Sequence, residues 1–514
     1  MTLLFTDVYI YDPEAADGMT GPTDLFVLGN RIRRIGAGAR AEYEASRSSS
    51  DAAQARVIAG DSHLLVVPGL INGHFHSPAN HLKGSISGLP LEPFMLYESP
   101  ASPELLPTPR EAYVRTLLGA IEMLRTGTTT VQDDAFLMPY PTPDVIDAVM
   151  AAYADCGIRA SVALDQSDLP EIGKLPYLDR LLPAATARRL EAAPPADTAT
   201  LLEIYEHFIS RWHGSANGRL TVAASVSAPQ RVSVPYFEAL ADLSRRHDIP
   251  IFAHVLETKV QRALAVEKEE VFGRSLVQYV ADLGLLSERM NLIHMVWADE
   301  RDLELVAEAR AVIAHNPVSN LRLGSGVAPY RRFLDHGIRV CLGVDEAVAD
   351  DSCNMWGVVK LAGLIHNISH YDGGQWPRAA EILDSLWRGG AAALLKEAEL
   401  GAVREGYVAD LVLLDLDSVA FTPLNDLRAQ LVYCESGQDV EYTVVDGAIV
   451  FEQGALVRVD EQEILDEARA LFHRRKPVVR EVRRQVADVL PYYQAVVKEA
   501  ALADLGIDRR VGRG

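Results

Sequence analysis

Two histidines separated by one residue, His74 and His76, end the apolar run LVVPGLINGHFH. In an extended strand, residues i and i+2 point to the same side, so both imidazoles can reach one divalent ion. The spacing alone serves equally well a pair of hydrogen-bonded loop histidines. Farther along, His254 lies near the end of IPIFAHVLE, His294 near that of NLIHMV and Asp345 near that of IRVCLGVDE. His254 and Asp345 would complete a nitrogen and oxygen donor set suited to one zinc or ferrous ion per chain, with a position left for water. Such an ion lowers the pKa of its water from ~15.7 toward neutrality, which supplies hydroxide as a nucleophile at physiological pH. Glu257 follows His254 in HVLE. It is assigned the proton shuttle, although an isolated loop glutamate is more often a partner in a surface ion pair. His294 is assigned to hydrogen-bond the hydroxide or polarise the substrate, with support of Asp345 or a purely structural role as the alternatives.

These side chains need elements that carry them to one place. Eight apolar, β-branched runs alternate with helical stretches or long loops: LVVPGLINGHFH, TTTVQDDA, IRASVALD, LTVAASVSAP, IPIFAHVLE, NLIHMV, AVIAHNP and IRVCLGVDE. Alternation of this kind predicts an α/β fold, a (β/α)8 barrel. His74, His76, Asp133, Asp134, Asp165, His254, Glu257, His294, His315 and Asp345 all fall at the carboxyl ends of these runs. That is the face where barrel enzymes assemble their sites. His315, among the turn formers of AHNPVSN, is read as fixing its loop. His366 and His370 in HNISH lack an intervening metalloprotease glutamate and are read as residues of a helix face, near an interface.

Short strands with Gly-rich turns occupy residues 1–65 and return in 399–458, so the two chain ends are expected to share a small β-sandwich flanking a barrel of residues 66–398. Residues 166–200 are Pro-rich and weakly periodic, which predicts a long loop over the barrel mouth. From 459 to 514 the charged, amphipathic sequence predicts helices packed outside the barrel or against another subunit.

Asp plus Glu number 71 against 49 Lys plus Arg, a field that repels nucleic-acid phosphates and anionic membranes. A small heterocyclic substrate with little backbone charge is the partner left open. No apolar run is long enough to span a bilayer, and the acidic amino terminus lacks a basic signal region, so a cytoplasmic location is expected. Four cysteines without a C-x-x-C pair fit a reducing compartment.

At these residues the sequence resembles the amidohydrolase superfamily, in its branch of cytosine, guanine, adenosylhomocysteine and triazine aminohydrolases. The segments that carry the resemblance, in order, are VVPGLINGHFHSPANHLKGS, EMLRTGTTTVQDDA, FAHVLET, LIHMVWADE, AHNPVSNLRLGSGVAP, GIRVCLGVDE, LGAVREGYVADLVLLD and VVDGAIVFEQG. The resemblance implies a distorted barrel with the sandwich built from both ends, metal binding by His74, His76, His254 and Asp345, and proton handling by Glu257 and His294. It also implies self-association. The two-metal relatives carry a carboxylated lysine at the end of the fourth strand, and LTVAASVSAP has none, so one ion is expected. Ser227 and Gln230 occupy that mouth; Gln230, with Gln132, Asp165 and Glu346, is taken as a substrate contact. The run DEAVADDSCNM departs from the family pattern, and Glu346, Asp350 and Asp351 add acidity that suits a cationic or guanidine-bearing ring. The implied reaction is deamination of a purine, pyrimidine, pterin, triazine or cyclic guanidine. Hydrolysis of a cyclic amide, alkylamine or halide substituent, and a binding protein without catalysis, are the alternatives.

Overall fold

The computed structural model describes residues 2–47, 55–100, 102–267 and 273–510. Its centre is a barrel of parallel strands. They are Leu70–Phe75, Thr128–Ala135, Arg159–Leu164, a fourth strand in two pieces (Leu220–Val222 and Ala224–Ser225), Ile251–Val255, Met290–His294, Val312–His315 and Arg339–Leu342. Nearly every residue in them is buried, as expected where helices cover the outer face and side chains fill the inside. The break at Ala223 divides the barrel wall into a four-stranded and a five-stranded sheet.

Closure on the other side runs through the candidate site itself. The Asp345 N–H donates to the His74 carbonyl at 3.0 Å, and the His76 N–H donates to the Asp345 carbonyl at 2.7 Å. Asn72 Oδ1 accepts the Val344 N–H at 3.1 Å, one layer deeper. The first and eighth strands are therefore joined by the backbone of residues that also carry functional side chains.

Strands from both chain ends share one nine-stranded sheet beside the barrel. Its seam pairs Leu64–Pro68 antiparallel with Leu411–Asp415, so the amino-terminal part of this sheet extends to residue 68. Arg159 anchors barrel to sheet, with Nε 2.7 Å from Asp410 and Nη2 3.2 Å from Asp446.

The stretch 166–200 is not a plain loop. It contains the short helices Leu178–Leu181 and Ala184–Leu190. Tyr177 and Leu178 are buried against Val489, Tyr493, Val496 and Ala500 of the carboxyl-terminal region. These apolar positions find their partner only in a segment distant along the chain, which local periodicity could not reveal. The carboxyl-terminal region forms the helices Glu461–Val486 and Leu490–Leu502. The longer one is tied to helix Pro109–Arg125 by the bidentate Arg110–Glu467 pair and by Arg125–Glu461. Among the described residues no helix is long and apolar enough to cross a membrane.

Close packing under the eighth strand yields a stability prediction. A Cβ on Gly389 would stand 1.8 Å from the Val340 carbonyl oxygen. The Val340 carbonyl and the Cys341 Cα at 3.3 Å are both backbone of the eighth strand, so neither can move without shifting the wall. Gly389→Ala is expected to lose about 1–3 kcal/mol or more of stability. A denaturant midpoint unchanged at constant m-value would contradict that close approach.

Candidate active site

His74 and His76 project from the end of the first strand, His254 from the fifth, His294 from the sixth, and Asp345 from the residues just past the eighth. All five are buried at the carboxyl-terminal mouth of the barrel. Asp345 Oδ1 lies 3.2 Å from His74 Nε2 and 3.4 Å from His76 Nε2, and its Oδ2 lies 3.7 Å from His294 Nε2. His76 Nε2 and His254 Nε2 face each other at 3.2 Å. Ligand atoms of His74, His76 and His254 lie within 4.8 Å of one another, as do those of His74, His294 and Asp345.

The backbone sets the tautomers. His76 Nδ1–H donates to the Asp134 carbonyl and His254 Nδ1–H to the Ser227 carbonyl at 2.8 Å. Each Nε2 therefore presents a lone pair, and two lone pairs that face each other need a cation between them. Burial holds His254 well below the usual imidazole range, and the neighbouring imidazoles of His74 and His76 push it the same way. Burial likewise takes His74 down to about 3, against the opposing hydrogen bond with Asp345. For Asp345 burial acts upward, but the contact with His74 and the closeness of the His294 and His76 rings outweigh it and hold the carboxyl below its usual range. Neutral imidazoles around a carboxylate are donors of the kind that could hold a divalent ion.

Glu257 sits beside this cluster, 3.5 Å from His294 Nε2 through Oε2 and 3.4 Å from Ser325 Oγ through Oε1. Burial, reinforced by Asp345 and Glu92, lifts its carboxyl well above the ordinary range. His294 Nδ1 meets Asn320 Oδ1 at 2.9 Å, which aims Nε2 at Glu257 and Asp345. Several strand ends turn sharply to achieve this: Ser227, Leu256, His294, Met295 and Asp345 have φ between 50° and 77°. Left-handed backbone at non-glycine residues costs about 1–3 kcal/mol each and gathers at functional sites.

The substrate-contact candidates divide. Asp165 approaches His254, with Asp134 as the third member of a cluster whose ligand atoms lie within 4.8 Å. Glu346 is buried next to Asp345, has one oxygen without a partner, and is hydrogen-bonded to Glu98. Gln230 stands half-buried at the mouth with Oε1 unpartnered. Gln132 is fully buried on the same strand face as Asp134, one layer deeper, with both amide atoms unpartnered. Asp133 points the other way and accepts the Ser77 N–H at 2.9 Å and the Tyr153 hydroxyl at 2.8 Å, which pins the segment after His76. Asp351 stands apart from the cluster, accepting the Gly84 N–H at 2.7 Å and pairing with Arg322. His366 is not a residue of an exposed helix face. It turns inward, and its Nε2 lies 3.0 Å from that of His315, while His370 remains exposed. Sequence reading also passed over Glu98, whose contact with Glu346 joins distant segments, and Asn320, the partner of His294. Asn320 lies in the AHNPVSN segment already singled out and was the more accessible of the two.

Residues 65–450 match the model of the Amidohydrolase family. This chain belongs to that family. Among its relatives, the 5'-deoxyadenosine deaminase of Methanopyrus kandleri is 30% identical over 79% of this chain and 85% of the relative. The 5-methylthioadenosine/S-adenosylhomocysteine deaminase of Thermococcus kodakarensis is 32% identical over 75% of this chain and 82% of the relative. A zinc-bound adenosine deaminase from Xanthomonas campestris superposes with a TM-score of 0.78 at 24% identity, covering 92% of this chain and 98% of that one. An atrazine chlorohydrolase from Arthrobacter aurescens, complexed with zinc, gives 0.76 at 22% identity, covering 91% and 99%. Both superpositions share the TIM-like barrel of the amidohydrolases.

Proposed function

We propose that this amidohydrolase is a metal-dependent deaminase that removes the exocyclic amine of an adenosine-type purine nucleoside. The observation that carries the reading is the contiguity of Glu257, His294 and Asp345 with three imidazole lone pairs, in a chain about 30% identical to enzymes named as deaminases of adenosine derivatives. His74, His76, His254 and Asp345 would hold the ion. Zinc suits these donors, and ferrous iron is the alternative with the same set. Once bound, the ion would acidify a water and act as a Lewis acid.

The remaining work belongs to the chain's own groups. Glu257, kept protonatable by burial, takes a proton from the attacking water and delivers it to the ring nitrogen beside the amidine carbon. The new carbon–oxygen bond converts that carbon to tetrahedral geometry. Asp345 and His294 Nε2 accept the hydrogen bond of the hydroxyl now carried by that carbon, and so hold its oxygen in place. The proton of that hydroxyl, taken by Asp345 and passed on to the amine, lets the carbon–nitrogen bond break, and ammonia leaves a carbonyl on the ring. Asp134, Asp165, Gln230 and Glu346 are proposed to accept hydrogen bonds from the N–H edges of the substrate, and Gln132 to support Asp134 from below.

Three broader assignments accompany this reading. The barrel, expected at 66–398 and entered here at Leu70, is proposed as the catalytic unit, with residues up to 68 and 399–458 as a β-sandwich and 459–514 as a helical extension. A homo-oligomer is supported by the exposed apolar side chains Leu364, Ile368, Tyr371 and Trp376 along one surface stretch. A cytoplasmic location is supported by four unpaired cysteines, three of them buried.

The test is ammonia release by metal-loaded protein from adenosine, 5'-deoxyadenosine, 5'-methylthioadenosine and S-adenosylhomocysteine, with guanine, cytosine and melamine alongside. Ammonia from the adenosine group is the expected result. Ammonia from the triazine or the free bases alone would move the substrate assignment, and none from any compound would remove the deaminase reading.

A further inference from the structure

Beside the metal-ligand cluster lies a cavity of about 60 Å³ whose walls include His81, Glu98, Arg115, Phe136, Phe472 and Arg475. By the space one water needs, ~10–15 Å³, this is room for about four to six waters, or for one carboxylate or phosphate group. Arg115, on helix Pro109–Arg125, is only 7% exposed and lines this space. Its Nε is buried without a partner, and among the described residues its guanidinium makes no hydrogen bond or ion pair. Buried charges are normally paired, because desolvating an unpaired one costs several kcal/mol.

Glu111 acts on this charge from a distance but makes no ion pair with it. Glu111, one helical turn before Arg115, accepts the Thr108 N–H at 2.8 Å and the Thr108 hydroxyl at 3.1 Å, and stands 3.5 Å from Arg475. Arg475 is itself engaged, donating to the Leu105 carbonyl at 2.9 Å. The other carboxyl in the wall, Glu98, is directed to Glu346, so neither acid pairs with the Arg115 guanidinium that lines the cavity.

The cavity adjoins the site already described. Pro78, in its wall, lies two residues after His76, and the ring of Phe136 lies 5.3 Å from that of His76. Glu98 links the cavity to Glu346 beside Asp345. Phe136 and Glu98 thus stand between the metal ligands and Arg115, and a substrate spanning both would pass these two side chains.

We propose that Arg115 forms an anion subsite, which receives a carboxylate or phosphate carried by the substrate at the end remote from the reacting amine. The anion would accept the guanidinium N–H donors in the two-pronged geometry that arginine favours. The identity of the occupant as substrate rests on the deaminase reading above, whereas anion binding does not.

The experiment therefore reads both. Ammonia release by the metal-loaded enzyme is compared for adenosine, adenosine 5'-monophosphate and an adenosine derivative ending in a 5'-carboxylate. Stabilisation by inorganic phosphate and by acetate is followed as a shift of the thermal midpoint. Arg115→Gln is expected to lower the kcat/KM of the preferred anionic substrate, relative to that of adenosine, by about 10- to 100-fold, the scale of a lost charge-assisted hydrogen bond. Arg115→Lys should recover part of that ratio, and phosphate should stabilise the wild type more than Arg115→Gln. Preference for the 5'-monophosphate identifies phosphate as the source of the charge, and preference for the other derivative identifies carboxylate. A ratio unchanged by Arg115→Gln, or equal phosphate stabilisation of both proteins, overturns the subsite. Should Arg115→Gln not fold, the comparison of wild type with Arg115→Lys decides, since a point charge without the planar fork must shift the same ratio. If no nucleoside releases ammonia but phosphate stabilisation depends on Arg115, the deaminase reading fails and the anion site stands.

Discussion

Replacing Glu257 by glutamine is expected to reduce turnover by ~10²-fold or more while fold and metal content stay as they are. The side chain keeps its shape, and an amide can still meet Ser325 Oγ, now 3.4 Å from Oε1. What disappears is the ability to take and return a proton. Because burial opposes ionisation of this carboxyl, its replacement by a neutral amide should not weaken the fold and can raise the thermal midpoint. Glu257 approaches none of the imidazoles closely except His294, at 3.5 Å, so elemental analysis should find the same metal per chain as in the wild type. Turnover equal to that of the wild type would remove Glu257 from proton transfer. A fall accompanied by metal loss would make it a ligand instead.

Asp345→Ala is expected to act in the opposite order, removing metal first and activity as a consequence. Three imidazole nitrogens converge on this carboxylate, at 3.2, 3.4 and 3.7 Å. Removing it withdraws the only anion in that donor set. Changes to groups that merely orient ligands typically cost 10- to 100-fold in metal affinity, so loss of a ligand should exceed ~10²-fold. The barrel closure itself survives the change, because it uses the backbone N–H and carbonyl of residue 345. Alanine is less at ease than aspartate in left-handed backbone, here at φ 74°, and some stability will be lost on that account. Asp345→Asn separates the two effects, since asparagine tolerates this conformation and lacks the charge. Full metal occupancy in both variants, measured after dialysis against a weak chelator, would exclude Asp345 as a ligand.

Much of this site could be read along the chain because two local rules coincide in it. A strand that runs into a barrel must be apolar throughout, and a polar residue at its carboxyl end cannot serve the core. That coincidence marked His74, His76, His254, His294 and Asp345, and the ordered family motifs strengthened it. The same rules account for the eight strands, whose limits depend on runs of β-branched residues.

Other features depended on contacts between distant segments, for which no local pattern exists. The break of the fourth strand at Ala223, the closure through Asp345 and the inward turn of His366 follow from how eight strands fit round one circle. The helices within 166–200 exist because the carboxyl-terminal helix offers their apolar side an opposing surface. Glu98 faces Glu346, and Arg115 is left without a carboxylate, only because helix Leu91–Glu98 and the carboxyl-terminal helices cover one flank of the mouth. Residue type and spacing therefore determined which groups reach the barrel mouth. Tertiary packing decided which of them meet, because desolvation and pairing depend on everything that surrounds a side chain, and most of those neighbours lie far away in sequence.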